Sequence, residues 1–427
     1  MLRRTGTAVV LAAVLAAVFS GSAPARADGE NIHGTLESID NEQRLPVAGV
    51  TIIVEQDGAE IGTAVSDADG EWAVPVPAGG TYQVRLLVDT LPSGVALTVP
   101  GNDVLPNVLV RDNQQKTVRF QLGAGVTTTV GSFDRFAGLV IVGLKLGAII
   151  ALCSIGLSLI FGVTGLVNFA HGEMVTFGAV AAYFFHASPL GPQWPLLYAA
   201  IPAVLLGAAF GGVQELVLWG PLRRHPTGLI AMLVISIGLS FAVRNLILII
   251  FGGAPRPYLD YAVQREWHFW GISTVPKNIV IILASAAILA VVGLFLQYTK
   301  LGTAMRAVAD NKDLAESSGI NVNGVILTTW IVGTGLAAAG GIFFGVAEQI
   351  QFDMGFKLLL LIFAAVVLGG LGTAFGAMVG AFIIGLAVEV STYWIDNEFK
   401  TAIALGILIV MLLVRPQGIL GSRERIG

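Results

Sequence analysis

The chain has 427 residues, of which 55% are hydrophobic and 12% charged, with 53 glycines. An ordinary globular domain carries about 25% charged residues, so this composition excludes a disordered chain, a coiled coil and a nucleic-acid binder, and indicates a polytopic membrane protein packed through small residues. The formal net charge of -4 argues against a polyanionic partner, and a single cysteine, Cys153, excludes a disulfide framework and a cysteine-rich zinc site.

At the N-terminus, Arg3 and Arg4 precede an apolar run from Ala8 to Phe19, and small residues then end in Ala25-Arg26-Ala27. The run is too short to span a bilayer, and the A-x-A pattern fits an export signal, residues 1–27, cut after Ala27. An uncut anchor is the alternative. Either way, the segment beyond residue 27 is expected outside.

Residues 28–135 are polar and punctuated by Gly and Pro. Strand-like alternation marks Val50-Thr51-Ile52-Ile53-Val54, Tyr82-Gln83-Val84-Arg85-Leu86 and Thr117-Val118-Arg119-Phe120-Gln121-Leu122. Turn clusters at short intervals predict a small antiparallel β sandwich. Asp67-x-Asp69-Gly70 reads as a turn rather than a calcium loop, because the rest of an EF-hand pattern is missing. With Pro46-Val47-Ala48-Gly49-Val50-Thr51-Ile52, Asp67-Ala68-Asp69-Gly70-Glu71-Trp72 and Gly80-Thr81-Tyr82, the segment resembles the carboxypeptidase-regulatory or transthyretin-like domain, which implies a fold only.

From residue 136 to 427 the chain is nearly all apolar. Nine candidate crossings run over 138–162, 166–187, 196–218, 228–251, 278–297, 325–347, 357–372, 374–392 and 400–414. A straight helix needs about 20 residues to cross, so the seventh and ninth are short. The seventh runs into a glycine-rich break. The predicted fold class is an all-α polytopic membrane domain of about eight or nine helices, some broken, behind a small exported all-β sandwich.

Nine crossings place Arg223, Arg224, Lys300, Arg306, Lys312, Arg415, Arg423 and Arg425 inside, against Arg256, Arg265, Lys277, Lys357 and Lys400 outside. That modest positive-inside bias agrees with the export signal. Among charges within spans, Lys145 and Arg244 fall about 10 Å below the outer surface, at about 1.5 Å per residue. Glu389 lies near the same side and Glu215 near the inner end. Depth therefore argues against a Glu215–Arg244 pair and permits Glu389 with Lys145 or Arg244. Lys145 reads as snorkelling outward, and Arg244 as helping to form an outer vestibule favourable to a carboxylate.

No catalytic or nucleotide signature is present: no Lys follows a Gly, and neither G-x-S-x-G nor H-E-x-x-H occurs. Uphill movement would draw on a partner or an ion gradient. The most informative stretch runs from Gly156 to Met174, where Gly162, Gly165 and Gly172 interrupt an apolar run in which Asn168, His171 and Glu173 cluster. Free N–H groups at such a half-helix start favour an anionic group. Asn168, His171 and Glu173 have two readings. They contact substrate or form a gate, with Thr176 on the following helix, or they cap the helix and satisfy one another at the break.

Gly165-Leu166-Val167-Asn168-Phe169-Ala170-His171-Gly172-Glu173 closely resembles the G-x-x-N-F/M-A-H-G-E run of the membrane permease subunit of branched-chain amino acid ATP-binding-cassette importers. A second match is Ala365-Val366-Val367-Leu368-Gly369-Gly370-Leu371-Gly372-Thr373 followed by Gly376-Ala377-Met378-Val379-Gly380, with Thr373 where that family usually has Ser. The resemblance covers residues 138–420. Gly162, Gly165, Gly369, Gly370 and Gly372 are read as packing and hinge positions.

The loop after Thr299 predicts an amphipathic helix over 304–317, with Met305, Val308 and Leu314 on its apolar stripe and Gly319 as its stop. Glu316-Ser317-Ser318-Gly319-Ile320 resembles a degenerate form of the loop by which importer permeases contact their ATPase. The resemblance therefore implies coupling through Arg306, Ala307, Asp310, Asp313, Glu316 and Gly319, a helix fitting a groove on a cytoplasmic partner. A solvated amphipathic connector is the alternative.

The resemblance implies a non-enzymatic permease subunit in a bacterial cytoplasmic membrane, its N-terminal domain extracytoplasmic, forming half of a pore that works by alternating access. Implied partners are cytoplasmic ABC ATPase subunits, a second permease subunit, an extracytoplasmic substrate-binding protein and membrane lipid, with no nucleic acid. The chain itself binds no cofactor or metal; ATP is used by the partners. Leucine, isoleucine or valine is the leading substrate class, and urea or a short amide the next. A gradient-driven secondary transporter and a surface receptor on a multi-span anchor are the readings from other classes.

Overall fold

Strands form where the sequence alternates and helices where it is continuously apolar. The computed structural model describes residues 30–421 apart from 41–42, 57, 98–102, 111–114, 121, 124–131, 189–190, 226, 262–266, 270–271 and 416. The export-signal segment, Arg265, Arg423 and Arg425 lie outside the described residues. The elements fall in two units, Ala23–Val130 and Gly131–Gly427.

The first unit carries β1 (Asn31–Thr35), β2 (Glu37–Asp40), β3 (Gln43–Pro46), β4 (Thr51–Gln56), β5 (Ala59–Val65), β6 (Glu71–Pro75), β7 (Gly80–Leu86), β8 (Val104–Val110), β9 (Gln115–Thr117) and β10 (Leu122–Gly123). An antiparallel sheet of order β5-β4-β7-β8 and smaller sheets β6-β1-β9 and β10-β2-β3 share one core. Alternate residues supply it: Ile52 and Val54 from β4, Tyr82, Val84 and Leu86 from β7, Ile32 from β1 and Trp72 from β6. The pairing is not wholly antiparallel, since β9 runs parallel to β1 and β10 to β2. The strand expected over 117–122 is broken, because residues 118–120 leave the ladder. At Asp67 the carboxylate accepts from the N–H groups of Asp69 (3.0 Å) and Glu71 (2.8 Å), which caps a turn.

The second unit is helical: α1 (Ser132–Thr164), α2 (His171–Ala187), α3 (Leu196–Gln214), a π-helical turn (Glu215–Trp219), α4 (Gly220–Arg224), α5 (Leu229–Phe251), α6 (Pro276–Tyr298), α7 (Lys300–Asp310), α8 (Lys312–Ser317), α9 (Val322–Ala347), α10 (Met354–Gly369), α11 (Ala374–Ser391) and α12 (Lys400–Val414). A short hairpin, β11 (Trp267–Phe269) with β12 (Ile272–Thr274), precedes α6. Among the described residues, seven helical segments are long and apolar enough to cross a membrane. Two expected crossings fall short of that: α10 has 16 residues and α2 has 17. Both adjoin glycine breaks. The long segment Leu196–Arg224 stays continuous through the π turn, where Glu215 receives a two-pronged contact from Arg223 and Trp219 stacks on Trp330 at 5.8 Å.

The 33-residue α1 is the axis of this unit, almost wholly buried and packed against α9, α11 and α6. It begins upstream of the expected crossing. Its sole thiol, Cys153, lies in the α1–α9 seam, where Gly340 leaves room for the sulfur and for nothing larger. By contrast α5, α6 and α12 expose most of their surface.

Candidate functional site

The break between α1 and α2 is built by short polar side chains that compete with the helix for backbone groups. Thr164 donates to the Ile160 carbonyl (2.6 Å) and accepts from the Leu166 N–H (3.1 Å), and Gly165 then turns the chain at φ +68°. This is the left-handed region that glycine tolerates at no steric cost. Asn168 Oδ1 accepts from the Ala170 N–H at 3.0 Å, so α2 starts at His171 rather than at 166. Ser236 of α5 accepts from the Phe169 N–H at 3.1 Å, which fixes the break against that helix.

Asn168, His171, Glu173 and Thr176 are all fully buried. Asn168 holds the Ala170 N–H one turn ahead of α2 but does not cap it, since the N-cap is Ala170 with no side-chain bond, and His171 and Glu173 do not satisfy each other. The His171 Nε2–H donates to the Cys153 carbonyl of α1 at 3.0 Å. Glu173 Oε1 accepts from Ser240 (2.9 Å) and from Arg244 Nε (3.1 Å) and Nη2 (3.0 Å) on α5. Arg244 lies over the Phe356 ring, its guanidinium carbon 3.8 Å from the centroid, and 5.3 Å from that of Phe241. Thr176 Oγ1 accepts from the Gly355 N–H at 3.0 Å, which ties α2 to the first turn of α10. The helices touch there: a methyl group at Gly172 would stand 2.6 Å from the Gly355 carbonyl oxygen.

The other intramembrane charges separate. Glu389 pairs with Lys400 at 2.9 Å, so Arg244 does not use it. Lys145 is buried rather than extended outward, and makes no hydrogen bond or ion pair among the described residues. The segment after α5 forms a strap across the middle of α2 and the residues that follow α9. Arg256 and Ile350 exchange backbone hydrogen bonds at 3.0 and 2.9 Å, and the buried Tyr258 donates to the Ala179 carbonyl at 2.8 Å. Burial pushes the Tyr258 phenol well above its usual range.

The second glycine motif ends α10 at Gly370, whose φ of +114° stops the helix before the expected 372. Tail residues complete that end, with the Ile419 and Leu420 N–H groups donating to the Leu368 and Gly369 carbonyls at 2.8 and 2.9 Å. Gly369 lies flat against the Gly376 backbone. The two motifs meet: a methyl group at Gly162 would stand 3.2 Å from the Gly372 carbonyl oxygen and 3.6 Å from the Ala309 side chain of α7. A cleft of about 350 Å³ opens there, lined by Gly162, Met305, Arg306, Asp310, Phe375 and Leu420 among others.

The loop holds two helices rather than one, because Asn311 ends α7 and caps α8 through the Leu314 N–H at 2.9 Å. Met305 and Val308 are buried as expected, but Leu314 is 65% exposed and Ala315 takes the inward position. Arg306, Asp310, Asp313 and Glu316 are exposed, whereas Ala307 is half-buried against the core. Gly319, at φ +83°, closes α8. Sequence reasoning missed Ser240, Phe356 and the tail. Ser240 and Arg244, four apart on an otherwise apolar helix, were a readable signal; Phe356 had none.

Residues 139–412 match the family described as the branched-chain amino acid transport system permease component. The high-affinity branched-chain amino acid transport system permease protein LivH of Escherichia coli K12 is 33% identical over 297 residues, covering 66% of this chain and 94% of that protein. The corresponding BraD protein of Pseudomonas aeruginosa is 30% identical over 296 residues, with the same 66% and 94% coverage. The LivM permease of Escherichia coli K12 is 27% identical over 296 residues, 62% of this chain and 66% of that protein. No solved structure matches the chain.

Proposed function

The chain belongs to the permease family of branched-chain amino acid transport systems, and from that premise we propose that it forms one half of an ATP-driven import pore for leucine, isoleucine or valine. A second permease subunit supplies the other half, a pair of cytoplasmic ABC ATPases burns the ATP, and an extracytoplasmic binding protein delivers the substrate. This chain contributes no catalytic group and holds no cofactor or metal. Its β unit, exported behind a cleaved signal, faces outward from a bacterial cytoplasmic membrane.

The observation that supports coupling is the junction of Gly162, Gly372 and Ala309. Displacing α7 there bears on the last turn of α1 at Gly162 and, through it, on the break at Gly372, so a push from the cytoplasmic side reaches α1 and the start of α11 through packed backbone. In this reading α7 and α8 present Arg306, Asp310, Asp313, Leu314 and Glu316 to the ATPase. Alternating access is then a rocking of short helices about their glycine ends, with Asn168, His171, Glu173, Thr176 and Arg244 at the gate.

The test is co-expression with the ATPases and the second permease. The complex should take up leucine against a gradient only with ATP and binding protein. Gly319→Pro, or deletion of 304–318, should abolish ATPase co-purification. Uphill uptake by this chain alone would overturn the reading, and ATP-driven uptake of urea in place of leucine would overturn its substrate.

A further inference from the structure

We infer that Glu173 and Arg244 are the two halves of a head-group site for an α-amino acid zwitterion, the Glu173 carboxylate receiving the ammonium and the Arg244 guanidinium the carboxylate. The inference rests on the import reading above and assigns its chemistry to named atoms.

Each member of this ion pair has bonding capacity left over. Among the described residues Glu173 accepts three hydrogen bonds, all on Oε1, while Oε2 is buried with no partner. Arg244 spends Nε and Nη2 on Glu173 and Ser240, and among the described residues Nη1 makes no hydrogen bond. A buried carboxylate oxygen without a donor is costly. Such an atom calls for an explanation, and a bound group is one. The pair thus keeps one free acceptor on Glu173 and one free guanidinium nitrogen on Arg244 among the described residues. That combination is complementary to a group carrying one cation and one anion on neighbouring atoms, for which both contacts join opposite charges; a neutral amide offers the same donor and acceptor without those charges.

Surroundings agree. Arg244 lies on α5, which exposes most of its surface, and its side chain keeps 13% exposure. Ionisable groups within membranes face a bundle interior or a water-filled path, and Arg244 faces Glu173 of α2 and Phe356 of α10. The exposed rings of Phe241 and Phe356 flank the guanidinium and offer an apolar surface to a branched aliphatic side chain. The pair is net neutral, so a net-neutral zwitterion exchanges with it without leaving an uncompensated charge in a low-dielectric site. Closed, the two side chains satisfy each other. When α5 moves off α2, the substrate takes their place.

The experiment measures equilibrium binding of radiolabelled leucine to the assembled permease–ATPase complex without binding protein. The competitors are 4-methylpentanoate, which lacks the ammonium, and 3-methylbutylamine, which lacks the carboxylate. In the wild type both should compete at least about tenfold more weakly than leucine, the value of one hydrogen bond to a charged group. Glu173→Gln should erase the preference for leucine over 4-methylpentanoate and keep that over 3-methylbutylamine; Arg244→Gln should do the reverse. A pair with a purely structural role would shift both ratios together or neither, and either result overturns the inference, as does an assembled wild-type complex that retains no leucine. If a single variant does not assemble, Glu173→Asp or Arg244→Lys, which keeps the charge and moves it, takes its place and should weaken the same single ratio while leaving the other unchanged; a loss of both ratios or of neither overturns the inference here too. Leucine uptake by the complete importer with unchanged ratios defeats this inference alone, whereas uptake of urea instead defeats the function it rests on.

Discussion

Replacing Thr176 with valine removes one oxygen atom and almost no volume, at the point where the two short helices meet. Thr176 Oγ1 is the acceptor for the Gly355 N–H, in the first turn of α10, where no intrahelical carbonyl is available. Both residues are buried, and Gly172 presses on Gly355 so closely that no water can substitute. Valine therefore strands a buried N–H, at a cost of about 1–3 kcal/mol. Serine keeps the oxygen and loses only a methyl group, a cost of about 1 kcal/mol. The assay is the thermal aggregation midpoint of the purified complex in detergent, paired with leucine uptake in proteoliposomes. Valine should lower both clearly and serine should stay near wild type. If the serine variant falls as far as valine, methyl packing rather than the hydrogen bond holds α2 to α10, and the reasoning fails.

Truncation after Arg415 removes the donors to the Leu368 and Gly369 carbonyls, and should abolish ATP-driven uptake while the protein still inserts, as read by membrane fractionation and transport. Leu314→Glu alters a side chain exposed on α8; it should weaken ATPase co-purification without changing the thermal midpoint of the permease. Tyr258→Phe should destabilise the strap by about 1 kcal/mol, the net worth of one hydrogen bond. The neutral phenol is the form favoured on folding. Its contribution is thus complete below about pH 10, the unfolded value, and falls as pH rises above it, so a thermal-midpoint profile should decline there in the wild type and less in the phenylalanine variant.

Hydropathy located most helices to within a few residues, because a run of apolar side chains is visible whatever surrounds it. What escaped it were the places where backbone groups are taken by side chains. Leu166 and Val167 are apolar, yet Thr164 and Asn168 hold the backbone around them off the helical path. Residues 165–170 are non-helical, so His171 and Glu173 do not stand where a helix begun at 166 would put them. Depth counted along ideal helices set only Glu389 and Glu215 against Arg244, and the partner it uses, on α2, was overlooked. At α10 the reasons differ: the helix starts three residues early, with Asp353 and Lys357 paired at 2.9 Å across the first turn, and Gly370 ends it by conformation, which no hydrophobicity window registers. On α8, Leu314 lay on a stripe drawn as if α7 continued, and the turn at Asn311 rotated it outward.

The burial of Cys153 has a practical consequence. It is the sole cysteine of the chain, and its sulfur is walled in by α9. Maleimide reagents applied to either leaflet should leave the native protein unmarked. Cysteines introduced one at a time along α5 or the strap can then report water access during the transport cycle, with no need to rebuild the chain on a thiol-free background.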